Sequence, residues 1–138
     1  MSKFILNTRL AHDSFFVTSL ELCQIRLINS QDFVWFILVP QINNIIHITD
    51  LSLPNQYILM HEINQTAHIL QKIFNPTRLN IAALGNIVEQ MHWHIIVRYD
   101  TDKAWPNPVW GFKSSLHVSN KKNHIIDLFK NALSEIYT

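Results

Sequence analysis

The run VWFILVP, residues 34 to 40, constrains this chain more than any other stretch. It is apolar without interruption and stops at a proline, the pattern of a central strand covered on both faces, because Pro40 has no N–H to continue a ladder. The fold therefore needs a sheet with this strand inside it and other elements on either side.

The flanking segments supply those elements. Upstream, FFVTSLELCQIRLI at 15 to 28 is rich in β-favouring residues, and Leu22, Gln24, Arg26 and Ile28 alternate with Cys23, Ile25 and Leu27, which predicts a strand or hairpin closed by a turn at NSQD, 29 to 32. Downstream, a loop delivers Ser52 or a neighbour as a helix cap with Pro54 in the first turn. From about 54 to 74, Leu59, Ile63, Ala67, Leu70 and Phe74 recur at helical spacing while Glu62, Gln65 and Lys72 fall outside the stripe, so an amphipathic helix crosses the sheet. Asn75-Pro76 stops it, RLNIAAL follows as a strand, Gly85-Asn86 turns, and a further strand runs from about 90 to 98. A second helix, roughly 120 to 136, is signalled by Ile125, Leu128, Phe129, Ala132, Leu133 and Ile136. This order implies an α+β domain: an antiparallel sheet of about five strands, one long helix packed on it and a C-terminal helix. At 138 residues the chain is the size of one domain, 1–138, with 99–138 as a C-terminal loop and helix extension.

Chemistry concentrates in the strand from 90. An extended chain alternates its faces, so Gln90, His92 and His94 point one way and Met91, Trp93 and Ile95 the other. A row of imidazole and amide groups suits a metal or a phosphate. Only two glycines occur, Gly85 and Gly111, so a Gly-rich phosphate loop cannot be built and side chains must do much of the binding. The single Cys23 excludes an internal disulfide and a multi-thiolate metal site, and reads as a small buried apolar residue. His47, His61, His68, His117 and His124 have no motif spacing to the 90–98 strand, so no third ligand is evident and no metal is assigned. A formal charge of +1 argues against nucleic-acid polymers and anionic membranes as partners. The start MSKFILNTRLAHDS lacks the long apolar region of a signal peptide, and no stretch approaches the roughly 20 apolar residues of a membrane helix, so a soluble, cytoplasmic protein is expected.

With the order of elements, the HWHII sequence at 92 to 96 and the tail WPNPVWG at 105 to 111, the chain resembles the histidine triad family of nucleotide hydrolases and transferases, whose motif is His-x-His-x-His followed by two apolar residues. The resemblance covers roughly 15 to 98, and the tail is similar to that of one bacterial branch. It implies that His92 is the nucleophile and His94 the last histidine of the triad, with Gln90 in place of the first. It further implies that Asn29 contacts a ribose, the alternative being a turn-former, and that Asn86 is the polar residue before the histidine strand. Arg98 follows that strand, where it can reach a phosphate or close a salt bridge. The implied substrate is a nucleoside phosphate derivative, with no cofactor, handled by a homodimer. Trp93, Trp105 and Trp110 read as core or interface residues, or as a border of the nucleotide pocket.

The residues make chemical sense of such a role. A neutral imidazole, with a pKa near ~6.5, is a nucleophile at cellular pH if one ring nitrogen keeps its lone pair while the other donates to an acceptor such as a backbone carbonyl. His94 is placed to donate to a phosphoryl or leaving-group oxygen. Gln90 can hydrogen-bond but cannot carry a proton as an imidazolium. Two other classes stay open on sequence alone: a nucleotide-binding or interaction protein that lost catalysis with the first histidine, and a metallohydrolase built on the histidine pair.

Overall fold

A computed structural model describes residues 3–113 and 121–136. In chain order the elements are α1 (Thr8–Asp13), β1 (Ser14–Ser19), β2 (Cys23–Ile28), β3 (Val34–Pro40), α2 (Leu53–Phe74), β4 (Arg78–Ala83), β5 (Trp93–Arg98) and α3 (Lys122–Ile136). The five strands form one antiparallel sheet in the order β1-β2-β3-β5-β4, an α+β architecture with β3 at its centre, as the apolar run requires. Among the described residues no helix is long and apolar enough to cross a membrane.

Alternation along β3 divides its side chains between two cores. Phe36 and Leu38 join Cys23, Ile25, Leu27, Ile95 and Val97 beneath Leu59, Ile63 and Leu70 of α2 and Phe129 of α3. Ile37 and Val39 point to the opposite face, where Phe4, Leu6 and Leu10 cover them. The pairing of Ile37 with His94 puts the histidine on this second face, away from α2 and α3.

Helix α2 starts where the cap predicts, with the Ser52 hydroxyl accepting from the Asn55 N–H and Pro54 in the first turn. It ends at Asn75, which adopts a left-handed conformation with φ 44°. Glu62 departs from the sequence reading. Placed outside the apolar stripe by its charge, it is in fact buried, and its carboxylate accepts from the backbone N–H groups of Leu22 at 2.9 Å and Cys23 at 2.8 Å. Those two donors lie where the β1–β2 turn packs against the helix, and a buried N–H needs an acceptor, which the carboxylate supplies while its own charge is hydrogen-bonded. Burial, and secondarily the same carboxylate, push the Cys23 thiol up, so the lone cysteine is an inert buried residue.

The N-terminal segment is the element that hydrophobic pattern does not announce. Residues 3 to 7 run extended over the second face, held by two side-chain carboxamides. Asn43 accepts from the Ile5 N–H and donates to the Lys3 carbonyl, both at 2.9 Å. Gln90 accepts from the Asn7 N–H at 2.8 Å and donates to the Ile5 carbonyl at 2.9 Å. Asn7 then caps α1, its side chain accepting from the Arg9 and Leu10 N–H groups.

At the other end of the sheet, Asp102 organises the loop after β5. Its carboxylate accepts from Arg98 and from the N–H groups of Tyr99, Ala104 and Trp105. The C-terminal helix, expected from about 120, begins at Lys122 and buries Phe129 and Leu133; residues 114–120, with His117, lie outside the described residues.

Candidate active site

His92 and His94 are brought together on the second face of the sheet, their ring centroids 4.8 Å apart. His94 belongs to the β5 ladder, opposite Ile37 on one side and Ala82 on the other. His92 precedes the first ladder residue, Trp93, so its backbone is held by its neighbours rather than by the sheet. Both rings are buried, at 7% and 6% exposure.

Each ring has its tautomer set by one partner. The Nδ1 of His92 lies 2.8 Å from the Gln90 carbonyl; a carbonyl only accepts, so Nδ1 carries the proton and Nε2 keeps the lone pair. His94 is the reverse. The Trp35 indole N–H donates to its Nδ1 at 2.9 Å, and an indole can only donate, so the neutral ring carries its proton on Nε2. That N–H reaches towards the Leu84 carbonyl at 3.5 Å, a long contact that leaves it available. Burial, and secondarily the neighbouring His92, push His94 down to about 4, with the Leu84 carbonyl acting weakly the other way. Burial also lowers His92, opposed by its bond to Gln90. At neutral pH the pair is therefore a lone pair beside an N–H donor, both uncharged.

Aromatic groups wall the pair. Trp110, in the tail, stands nearly perpendicular to the His94 ring with centroids 5.2 Å apart, and packs edge-on against Trp35 at 6.0 Å. Trp110 thus borders the site, whereas Trp93 packs against the main core and Trp105 lies against the Arg98 guanidinium. Trp35 is the residue that sequence reasoning overlooks. The signal was present: in antiparallel pairing it shares a face with Ile37 and is the diagonal neighbour of whichever residue sits opposite Ile37, here His94.

The remaining candidates separate. Gln90 adjoins the pair through its backbone carbonyl, while its side chain turns to the N-terminal segment. Of the two roles open to Arg98, the salt bridge is formed: it is 1% exposed, pairs with Asp102 at 2.8 Å, and donates to Asn80 Oδ1 and the Asn107 carbonyl. Asn29 is half-buried at the turn after β2, with its backbone N–H on the Asp13 carbonyl. Asn86 is exposed on the bend between β4 and β5, which is compact enough that a Cβ at Gly85 would lie 3.0 Å from the Val88 carbonyl. A cavity of about 450 Å³ opens beside this bend, lined by Asn7, Asn44, Ile46, Val88, Glu89 and Gln90 among others. His47, His61, His68 and His124 are exposed and distributed over other elements. Among the described residues no three His, Cys, Asp or Glu side chains are grouped as a metal site would need.

Comparison with known proteins gives a consistent result. The HIT domain family model matches residues 9–101. A histidine triad protein from Bradyrhizobium japonicum superposes with a TM-score of 0.91 at 35% identity, covering 95% of this chain and 98% of its own. One from Sinorhizobium meliloti gives 0.89 at 38% identity, covering 94% and 96%, and one from Marinobacter aquaeolei 0.91 at 33%, covering 97% and 98%. No curated protein sequence matches the chain. The sheet order, the paired histidines on its second face and the match over most of the length agree that this chain belongs to the histidine triad (HIT) family.

Proposed function

We propose that this protein is a cytoplasmic hydrolase or transferase of nucleoside phosphate derivatives, such as dinucleoside polyphosphates or adenosine phosphoramidates, that works through a histidine–nucleotide intermediate. The observation that carries this reading is the His92 ring, whose Nδ1–H is taken by the Gln90 carbonyl so that Nε2 is left as a nucleophile in a neutral, buried ring. The Nε2 lone pair forms a bond to the phosphorus, and the bond from phosphorus to the leaving oxygen or nitrogen breaks. The Gln90 carbonyl then faces a ring that has become cationic, which strengthens the same hydrogen bond. His94 donates from Nε2 to an oxygen that gains charge. Water next attacks the phosphorus and gives up a proton to solvent, the P–Nε2 bond breaks with its electron pair returning to His92, and the nucleotide leaves as its monophosphate. Asn29 and Asn86 are proposed to bind the substrate, Asn29 at the ribose.

Mass spectrometry of acid-quenched enzyme with an adenylated substrate should find a labile nucleotidyl adduct on the peptide containing His92. His92→Asn should fold, bind nucleotide and lose turnover by at least ~10³-fold, the scale of losing a covalent route. Normal turnover by that variant would exclude the mechanism. A second reading, nucleotide binding without turnover, is supported by the Gln90 side chain, which is engaged with the N-terminal segment instead of supporting the histidines. It predicts that nucleotide raises Tm and is recovered uncleaved.

A further inference from the structure

We propose that Trp35 is a positioning residue for this reaction: its indole N–H holds His94 in the Nε2–H tautomer, making His94 a fixed, neutral hydrogen-bond donor rather than a proton-donating acid. The inference rests on the nucleotidyl-transfer reading above and goes on to assign how the second histidine works.

The argument is one of donors and acceptors. Trp35 Nε1 carries a hydrogen and has no lone pair to offer, so the atom 2.9 Å from it must be the acceptor. That fixes the lone pair of His94 on Nδ1 and its single proton on Nε2. Protonating the ring would set two N–H groups against each other, in a place where neither can turn away. Trp35 is one diagonal step across the β3–β5 ladder from His94, and Trp110 packs nearly perpendicular to both rings, so both aromatic planes are held. Facing the His94 ring are Trp35 and Ile37 from β3, Ala82 from β4, the Leu84 carbonyl, His92 and Trp110; the Arg98–Asp102 ion pair lies further along the strand, turned to Asn80 and the loop. Among the described residues the titratable group in contact with the ring is therefore His92, which as a cation would also oppose a second charge.

A neutral imidazole that gave up its Nε2 proton would become an anion, so His94 lends a hydrogen bond without transferring the proton. The proton taken up by the leaving group comes from solvent water. Substrates with good leaving groups need this bond least, because less charge builds on the departing atom.

The test uses the full chain and Trp35→Phe, which keeps an aromatic ring and removes the donor. Long-range proton–nitrogen NMR of the histidine rings should show wild-type His94 protonated on Nε2 alone, with Nδ1 as an acceptor. In Trp35→Phe the two tautomers should mix and the ring should titrate at higher pH. With an adenylated substrate, kcat should fall about tenfold with KM within about twofold, more for poor leaving groups, and the acid limb of the kcat profile should move up in pH. Trp35→Phe with an unchanged His94 tautomer, or with unchanged kcat, overturns the proposal. So does a wild-type His94 protonated on Nδ1, a result that needs no variant to fold. If wild type shows the expected tautomer but neither turnover nor adduct, the nucleotidyl-transfer reading has failed and the catalytic role of Trp35 falls with it.

Discussion

His92 and His94 lie beside each other in a buried setting that holds both uncharged, and this has a consequence for acid stability. In the unfolded chain a histidine protonates near its ordinary 6.5, whereas His94 in the fold does so only at about 4. Between those values the unfolded state binds more protons, so stability is complete above pH 6.5 and is lost as pH falls towards 4. At 1.36 kcal/mol per unit the loss from His94 alone is about 3 kcal/mol, with His92 adding in the same direction. Urea denaturation at pH 7 and pH 4.5 should show it, and His94→Gln, which cannot protonate, should flatten that dependence. An equal acid sensitivity in the variant would mean that other groups drive it.

Among the elements, the loop after β5 depends most on a single side chain. Asp102 accepts three backbone N–H groups while pairing with Arg98, which is 1% exposed and has no route to water. The Arg98 hydrogen bonds hold the carboxylate well below its usual range, so it is ionised throughout the neutral region. Asp102→Ala leaves a buried guanidinium without its counter-charge and should cost about 3–5 kcal/mol. It should also lower activity, because the same loop carries Trp110 to the His94 ring. Chemical denaturation measures the first effect and kcat the second. A loss under 1 kcal/mol would show that Asn80 and the Asn107 carbonyl suffice for Arg98. The N-terminal segment differs in kind, resting on the paired carboxamides of Asn43 and Gln90, so Gln90 is a structural clamp through its side chain.

For the whole molecule, several large apolar side chains remain in contact with water. Leu53, Tyr57 and Met60 on α2 are 58%, 69% and 57% exposed, and Ile81 projects from the edge strand β4. With only 15% of its residues charged, the chain has little to keep such a surface apart from a second copy, and light scattering at micromolar concentration should return twice the chain mass. A strictly monomeric mass would count against a homodimer. How much of this was legible in the chain follows the range of the interactions involved. Periodicity and local capping determined β3 and its two buried faces, the span of α2 from Ser52 to Asn75, and the shared face of His92 and His94, because each is decided by residues a few positions apart. Long-range partners decided the rest. Glu62 is buried because a turn forty residues upstream needs acceptors, Arg98 is an ion pair because Asp102 folds back on it, and Gln90 clamps a segment more than eighty residues away. The proton on His94 was likewise settled only in the folded protein, by an indole on a neighbouring strand, since which nitrogen of an imidazole carries its hydrogen is fixed by what the other one touches.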